Sequence, residues 1–551
     1  MAQHVSTQFT NKIRNPSFNV IGASRFIYKR SRETKRNNFI MSEKNLAPVS
    51  SAVSTDTDVT SLDMQGLDAG DAALHQKIKL INDAIDEIGF TPYHFKLFCL
   101  SGMGYATDSQ LTFIESSVRT FVNYQFGYTY PVSSQCLYFG MLLGTLFWGF
   151  GADLIGRKLA FNLSLLLSAV LTILTGAMGT FTTYCLFIIL SCFAAGGNLV
   201  LDTCVFLEYL PHKNQWLLTF FAFFWGIGQT LAVLFAWAFL PKYSCASEDY
   251  CPSHINHGWR YTYYVNGAFV LVIALLRIFV VRLKETPKFL VSNNRDAEAV
   301  ETLQNLAAKY NRPCSLTLEA LEDCGEITAN DDFRVKASLM NTFRLSAKHI
   351  KILFSNRKTA RSTSLLITSW LLLGIAYPLY SAFLPQYLAS RGVNVSADST
   401  YGVYRDNVIS NLCSCFGPMI AGLLLYFVPW LGRRGVMVIG ALSTMALLFG
   451  YTQVKNRAGN VGLSSAVYIA IYVYYGCLYA YTPEVMPSAA RATGNALCIA
   501  ATRVTGVIVP VIAYFAGITT SAPIWICGAF VGVIGCIALL FPYEPSKMRV
   551  V

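Results

Sequence analysis

Gly149-Phe-Gly-Ala-Asp153-Leu-Ile-Gly156-Arg157-Lys158 lies between two long apolar runs, at Val132–Phe150 and Leu159–Met178. A turn of Asp, Gly, Arg and Lys finds no partners in hydrocarbon, so the stretch marks a membrane surface. The Arg-Lys pair assigns that surface to the cytosol, because short loops holding basic residues stay on the cytoplasmic side. The rest of the chain is oriented from this hairpin.

The chain has 551 residues, 54% hydrophobic and only 13% charged, with a mean hydropathy of +0.43. A soluble protein carries about 25% charged residues. Segments long enough to cross about 30 Å of hydrocarbon as helices recur throughout. They fall at Tyr93–Val118, Val132–Phe150, Leu159–Met178, Thr182–Leu207, Trp216–Leu240 and Arg260–Leu283, then at Arg361–Leu388, Val403–Val428, Val436–Tyr451, Gly462–Tyr481, Gly494–Phe515 and Ala522–Phe541. The expected fold is an all-α membrane protein with twelve transmembrane helices. An even number of spans puts both termini on one side, and the loops with Arg157-Lys158, His212-Lys213, Arg433-Arg434 and Arg491 share it. That side reads as cytosolic. The net charge of +12 follows these loops and the N-terminal tail. It therefore sets orientation and gives no reason to expect nucleic acid.

The expected division is a cytosolic, largely disordered tail at 1–90, a six-helix bundle at 91–284 and a cytosolic central loop with short helices at 285–360. A second six-helix bundle at 361–543 and a cytosolic tail at 544–551 complete it. The first forty residues hold Lys12, Arg14, Arg25, Lys29, Arg30, Arg32, Lys35 and Arg36 against the single acid Glu33. This resembles a mitochondrial transit peptide, but twelve spans would be unusual cargo for one. A tail held near anionic lipid is the preferred reading, and Met41 offers a second start. Most of the fifteen cysteines lie in apolar runs, without the spacing of a metal site. Cys245 and Cys251 instead bracket a polar loop on the opposite side, where a disulfide is plausible. Asn394-Val-Ser396 is a glycosylation sequon on that side.

Two motifs recur at one offset. Gly156-Arg157-Lys158 returns as Gly432-Arg433-Arg434, and 432 − 156 = 276. Glu208-x-x-Pro211 returns as Glu484-x-x-Pro487, and 484 − 208 = 276. The halves are therefore parallel repeats, an arrangement that places a solute site between two bundles near mid-membrane. Each half keeps one full motif and one eroded copy, since Pro429 stands where Asp153 would recur and Gln215 where Arg491 would be matched. Symmetric gating networks on both bundles are not expected from that pattern.

These residues also carry a resemblance. Gly149-x3-Asp153-x2-Gly156-Arg157-Lys158 resembles the signature between the second and third helices of the major facilitator superfamily. Gly258-Trp259-Arg260, Glu285-Thr-Pro287-Lys288-Phe-Leu290 and Thr482-Pro483-Glu484-x2-Pro487-x3-Arg491-x2-Gly494 resemble motifs of its sugar-porter clan. Gly196-Gly197-Asn198-x3-Asp202-x5-Glu208-Tyr-Leu-Pro211 and Gly104-Tyr105-x-x-Asp108 are similar to the branch of synaptic vesicle glycoprotein-like and organic-ion porters. The likeness covers about residues 90–545. It implies a transporter with a small-molecule substrate, no cofactor and no resident metal.

A charge at the bilayer centre costs about 2.5–3.5 kcal/mol, so each one needs a reason. Asp108, about fifteen residues into the first span, is the candidate for proton coupling. Substrate-cavity candidates are Asn198 and Asp202, four apart on one helical face, together with Tyr377, Tyr380, Gln386, Asn411 and Arg503. Arg503 is suited either to an anionic solute or to an acid across the cavity. Arg277 reads as structural, close enough to the cytosolic end to snorkel. Gly417-Pro418 reads as a break in the eighth span. Gly149, Asp153, Gly156, Arg157, Lys158, Glu208, Gly432, Arg433, Arg434, Glu484 and Arg491 are expected to form a cytosolic gate that biases a two-state equilibrium.

The expected function is secondary active transport of an organic ion, carboxylate or sugar-like solute by alternating access, coupled to protons. The alternative is a transporter-like sensor or trafficking protein. No nucleotide-binding loop or nucleophile constellation suggests an enzyme. A monomer in the plasma membrane is expected, with an internal membrane as the other location.

Overall fold

The computed structural model describes residues 69–128, 130–245, 250–325, 347, 350–390, 400–454, 456–487, 490–516 and 522–545. Within these, the side chains of 69–72, 153–155, 381–390, 513, 516 and 522–523 are outside the description. The expected tail before residue 69, the sequon at Asn394 and the side chains of Asp153 and Gln386 therefore lie outside the described residues.

Every described regular element is helical. Helix α1, Ala69–Ile88, precedes the first span, α2, Pro92–Phe126. The second and third spans are α3, Val132–Ile155, and α4, Arg157–Ala177. The fourth consists of α5, Phe181–Ala195, and α6, Asn198–Tyr209; the fifth of α7, Trp216–Phe220, and α8, Phe223–Tyr243. The sixth is α9, Gly258–Leu276, ending in a π-helical turn at Arg277–Val281. Short helices α10, Pro287–Ser292, α11, Asp296–Lys309, and α12, Leu318–Glu322, follow. The second half begins with α13, Arg357–Ser390, and then α14, Thr400–Cys413, with α15, Phe416–Phe427. It ends with α16, Gly432–Gly450, α17, Arg457–Val485, α18, Arg491–Ala516, and α19, Ala522–Leu540.

Ten helices among the described residues are each apolar and long enough to cross a membrane. The first and twelfth spans, α2 and α19, complete the twelve. Asp108, Gln110, Glu115 and Arg119 dilute the apolar character of α2, and Glu115 is buried against the hydroxyls of Ser133 and Ser134, 2.6 and 3.1 Å away. Such polar content is tolerated because those residues face protein rather than lipid.

The repeated Gly-Arg motif has a backbone cause. Gly156 and Gly432 adopt φ +97° and +63°, a region that side chains with a Cβ enter at a cost. Each reverses the chain between two spans, so the echo at 276 residues is a repeated turn as well as a repeated charge. The eighth span does break, but at Ser414–Cys415, between α14 and α15; Pro418 sits in the first turn of α15, where its missing N–H has no helical partner to lose.

The bundles meet along α3 against α18 and α8 against α14. A separate layer lies at the face bearing the Gly-Arg hairpins. There Ile81, Ile85 and Ile88 of α1 share an apolar core with Leu290 and Val291 of α10, Leu303 of α11 and Leu316 and Leu321 beyond it. Where the loop between α8 and α9 is described, Cys245 and Cys251 are joined, with Cα atoms 5.4 Å apart.

Candidate functional site

Between the bundles lies a cavity with about 650 Å³ of space not filled by atoms, open solvent included. Its wall is mainly aromatic. Tyr472, Tyr475 and Tyr479 come from α17, Trp370 and Tyr377 from α13, Trp225 from α8 and Tyr138 from α3. Tyr468, Tyr472, Tyr475 and Tyr479 recur at steps of four, three and four, which aligns them along one side of α17. Their rings stand 5.5 to 6.3 Å from the next in the ladder. Trp370 closes the ladder 4.8 Å from Tyr479, and its indole N–H donates to Thr482 Oγ1 at 3.0 Å.

Arg503 of α18 lines this cavity and pairs with Asp108 of α2, so one ion pair joins the two bundles. Both side chains are almost fully shielded from solvent. Asp108 Oδ1 accepts no hydrogen bond, and Tyr105 Oη, one turn away on α2, likewise has none. Burying a polar group without a partner costs free energy. A second tie between bundles lies nearby. The Gln229 amide of α8 donates to Ser414 Oγ, and Tyr472 Oη donates to Gln229 Oε1 at 2.7 Å.

Further pairs lie inside single bundles. Arg277 does not snorkel. Its guanidinium is fully buried, 3.0 Å from Asp202 Oδ2, and donates to the carbonyls of Phe161 and Leu100 at 2.9 and 3.2 Å. The π-helical turn that begins at Arg277 coincides with this placement, and the ring of Phe161 lies 3.9 Å beneath the charge. The pair occupies the space beside Gly104, where a Cβ would overlap Arg277 Nη2. Because Gly104 precedes Asp108 by four residues, the two buried ion pairs are one helical turn, about 6 Å, apart along α2.

At the hairpin face the repeat is reproduced in three dimensions. Arg157 Nε lies 2.9 Å from Glu208 Oε1, and Arg433, its equivalent 276 residues later, pairs with Glu484, the equivalent of Glu208. Glu285 accepts the backbone N–H groups of Arg157 and Lys158 at 2.8 and 3.1 Å, and Glu544 accepts those of Arg433 and Arg434 at 2.9 and 3.3 Å. Each carboxylate sits at a helix N-terminus, where the backbone N–H groups and the dipole favour negative charge. An Arg–Glu pair is thus present in both halves, although Pro429 and Gln215 stand at the eroded positions. Arg433 also crosses to the other bundle, donating to the Gln215 carbonyl at 3.0 Å and to Thr219 Oγ1. Arg491 is fully buried and donates to the Pro483 carbonyl at 3.0 Å. Gly149 faces Ala496 across the bundle boundary, and Lys158 is exposed.

Of the cavity candidates read from sequence, Tyr377 and Arg503 line the cavity. Asn198 is held within the first bundle by the Ser164 hydroxyl at 2.7 Å, Asp202 by Arg277, and Tyr380 packs on Tyr451 with rings 5.8 Å apart. The Asn411 side chain turns back to the Asn407 carbonyl at 2.7 Å, while its own carbonyl receives the Gln229 amide at 3.4 Å. The tyrosine ladder, Trp225, Trp370 and Gln229 were missed. Spacing of tyrosines by three and four was visible in α17, but the apolar character of that run reads first as a span.

The cavity is bounded by bundle-to-bundle contacts on both sides. Asn495 donates to Thr203 Oγ1 at 3.3 Å on the hairpin side. On the other, Tyr404 Oη donates to the Ser117 carbonyl at 2.6 Å, and the rings of Trp237 and Tyr401 lie 5.1 Å apart.

Residues 116–480 match the family model described as Major Facilitator Superfamily. The chain is 38% identical over 480 residues to "MFS siderochrome iron transporter 1" of Ceriporiopsis subvermispora, covering 86% of this chain and 92% of that one. It is 24% identical over 439 residues to "Niacin transporter NiaP" of Acinetobacter baylyi, covering 78% and 88%. Among solved structures, the partially occluded inward open conformation of the xylose transporter XylE from E. coli superposes with a TM-score of 0.58 at 16% identity. That match covers 84% of this chain and 100% of the other.

Proposed function

The chain belongs to the major facilitator superfamily, and from that premise we propose that it moves a small organic anion across the membrane by proton-coupled alternating access. The observation that carries this reading is the Asp108–Arg503 pair at the cavity wall. A carboxylate solute competes with Asp108 for one guanidinium, because a bidentate Arg site binds planar carboxylates well. A proton on Asp108 removes the competitor and leaves Arg503 free for the solute. Release of both restores the pair, and the bundles again share a charged contact. The tyrosine ladder and Trp370 supply flat apolar surface for the solute's body. Planar carboxylates with an aromatic or unsaturated frame therefore fit better than a sugar, whose hydroxyls need neutral polar partners. Niacin, named in one relative, has this chemistry and is the first probe.

Alternation requires the ties on each side of the cavity to break in turn. The Arg157–Glu208 and Arg433–Glu484 pairs act on that equilibrium and do not touch solute. Their face is cytosolic on this reading, and the plasma membrane is the proposed location.

Uptake of radiolabelled nicotinate and a panel of short aliphatic and aromatic carboxylates into proteoliposomes, with and without an inward proton gradient, tests the proposal. The parent is expected to accumulate at least one of them when the outside is acid, and Asp108→Asn is expected to exchange solute without concentrating it. Gradient-driven accumulation equal to the parent's in Asp108→Asn would remove the coupling role. Absence of movement for the whole panel would favour the sensor or trafficking reading.

A further inference from the structure

The layer at the hairpin face has a tie whose chemistry the transport cycle does not use. The last turn of α1 carries two consecutive acids that reach in different directions. Asp86 accepts the His212 backbone N–H at 2.7 Å, in the connection between α6 and α7 of the first bundle. Glu87 accepts both the backbone N–H and the hydroxyl of Ser315, at 2.7 and 2.8 Å through one oxygen. One turn of helix thereby links the bundle to the central segment. Besides the apolar core beneath it, α1 has a third polar tie, Lys77 to Asp296.

Ser315 belongs to the connection between α11 and α12. Residues 312–317 form no helix or strand, and Arg312, Pro313 and Ser315 are exposed. An exposed segment without secondary structure is the form in which a protein kinase binds its substrate. Arg312, three residues before the serine, supplies the basic determinant that acidic kinase clefts read as a charge pattern.

We propose that Ser315 is a phosphorylation site for a basic-directed serine kinase, and that its modification detaches the last turn of α1 from the central segment. The Ser315 oxygen attacks the γ-phosphorus of ATP, its proton passes to a base of the kinase, the bond to the β-phosphate oxygen breaks and ADP leaves. The hydroxyl hydrogen that reached Glu87 is then gone. In its place stands a group carrying about −1.5 to −2 charges at neutral pH, facing a carboxylate. A donor–acceptor contact becomes a repulsion between like charges. Glu87 sits below the usual carboxylate range because Ser315 donates to it from backbone and side chain, and phosphorylation takes the side-chain donor away. The link from Asp86 to His212 lies on the neighbouring residue and loses its anchor on Ser315, while Glu285 keeps its own hold on Arg157 and Lys158 of the first bundle. This rests on the cytosolic placement of the hairpin face, the side on which ATP is available.

The test uses the purified full chain in nanodiscs with ATP and a serine kinase of Arg-x-x-Ser preference, read by mass spectrometry and limited trypsin digestion. Phosphate is expected on Ser315 in the parent, none at that peptide in Ser315→Ala, and a loss of about tenfold in rate in Arg312→Ala, the scale of one charged contact. Cleavage at Lys77 and Lys79 is expected to quicken about tenfold once phosphate is on, because proteolysis tracks the opened population. Ser315→Glu should reproduce the faster cleavage without kinase. The proposal is overturned if folded protein takes no phosphate at Ser315, or if the phosphorylated protein keeps α1 as protected as before.

Discussion

Asp108 of the first span and Arg503 of the eleventh form a buried ion pair, 395 residues apart in sequence, that joins the two six-helix bundles beside the aromatic cavity. Taking one partner away leaves the other charge buried without compensation. Arg503→Gln is expected to cost about 3–5 kcal/mol of stability, whereas the double variant Asp108→Asn with Arg503→Gln recovers most of that loss. Thermal melts followed by size-exclusion fluorescence measure the first effect. Gradient-driven uptake should stay absent in both. A double variant no more stable than Arg503→Gln would show that the pair has little to do with the loss.

Gly104 is expected to tolerate no side chain. A Cβ there overlaps Arg277 Nη2 and presses on Asp202, the two members of one fully buried ion pair. Gly104→Ala should fail to accumulate as a monodisperse species. Gly151→Ala has open space around its Cβ and should stay within about 0.5 kcal/mol of the parent. Equal behaviour of the two variants in detergent chromatography would contradict this placement.

The two repeated arginines are expected to differ. Arg157 pairs with Glu208 of its own bundle, while Arg433, besides pairing with Glu484, donates to Gln215 and Thr219 of the other. Removing Arg433 therefore loosens the closed hairpin face, and removing Arg157 mainly loosens one bundle. Amide hydrogen exchange over residues 203–221 should rise by about tenfold in Arg433→Gln, a loss on the scale of one charged hydrogen bond. A comparable rise in Arg157→Gln would argue against the distinction.

Lys288 gives a pH prediction. It lies outside the spans, buried between α1 and the first bundle, with burial as the main cause and Arg491 as the next pushing its ammonium down to about 7. Its ordinary value is 10.5, so between about 7 and about 10 the unfolded chain holds a proton that the folded chain has given up. Stability then rises with pH through that window, and below about 7 the full cost of burying the charge is felt. That cost is on the order of 5 kcal/mol. Melting points from pH 6 to 9 should climb for the parent and stay flatter for Lys288→Met, which should be the more stable at pH 6. Parallel curves for the two proteins would disprove the assignment.

Local pattern carried the architecture. Apolar length marked the spans because a helix satisfies its own backbone groups in hydrocarbon, whatever its neighbours are. The 276-residue echo of Gly156-Arg157 and Glu208 announced two related bundles, since repeated turns need the same glycine and repeated helix ends the same charges. The candidate site was legible only in part. Asp108 and Arg503 stood out because charge within a span is expensive, yet nothing nearby in sequence named either as the other's partner. Glu544 was overlooked as the counterpart of Glu285, because its offset from that residue differs from 276 and only the fold brings it to Arg433.

Sequence by itself thus determined the spans, the repeat and which charges had to be explained. Tertiary structure decided which charges meet: Asp202 with Arg277 inside one bundle, Asp108 with Arg503 between the two, and Arg433 reaching from Glu484 to Gln215. The physical reason is range. Helix formation and membrane insertion depend on residues within a few turns, whereas an ion pair in hydrocarbon depends on which helix faces bury together. That choice is made by packing over the whole molecule.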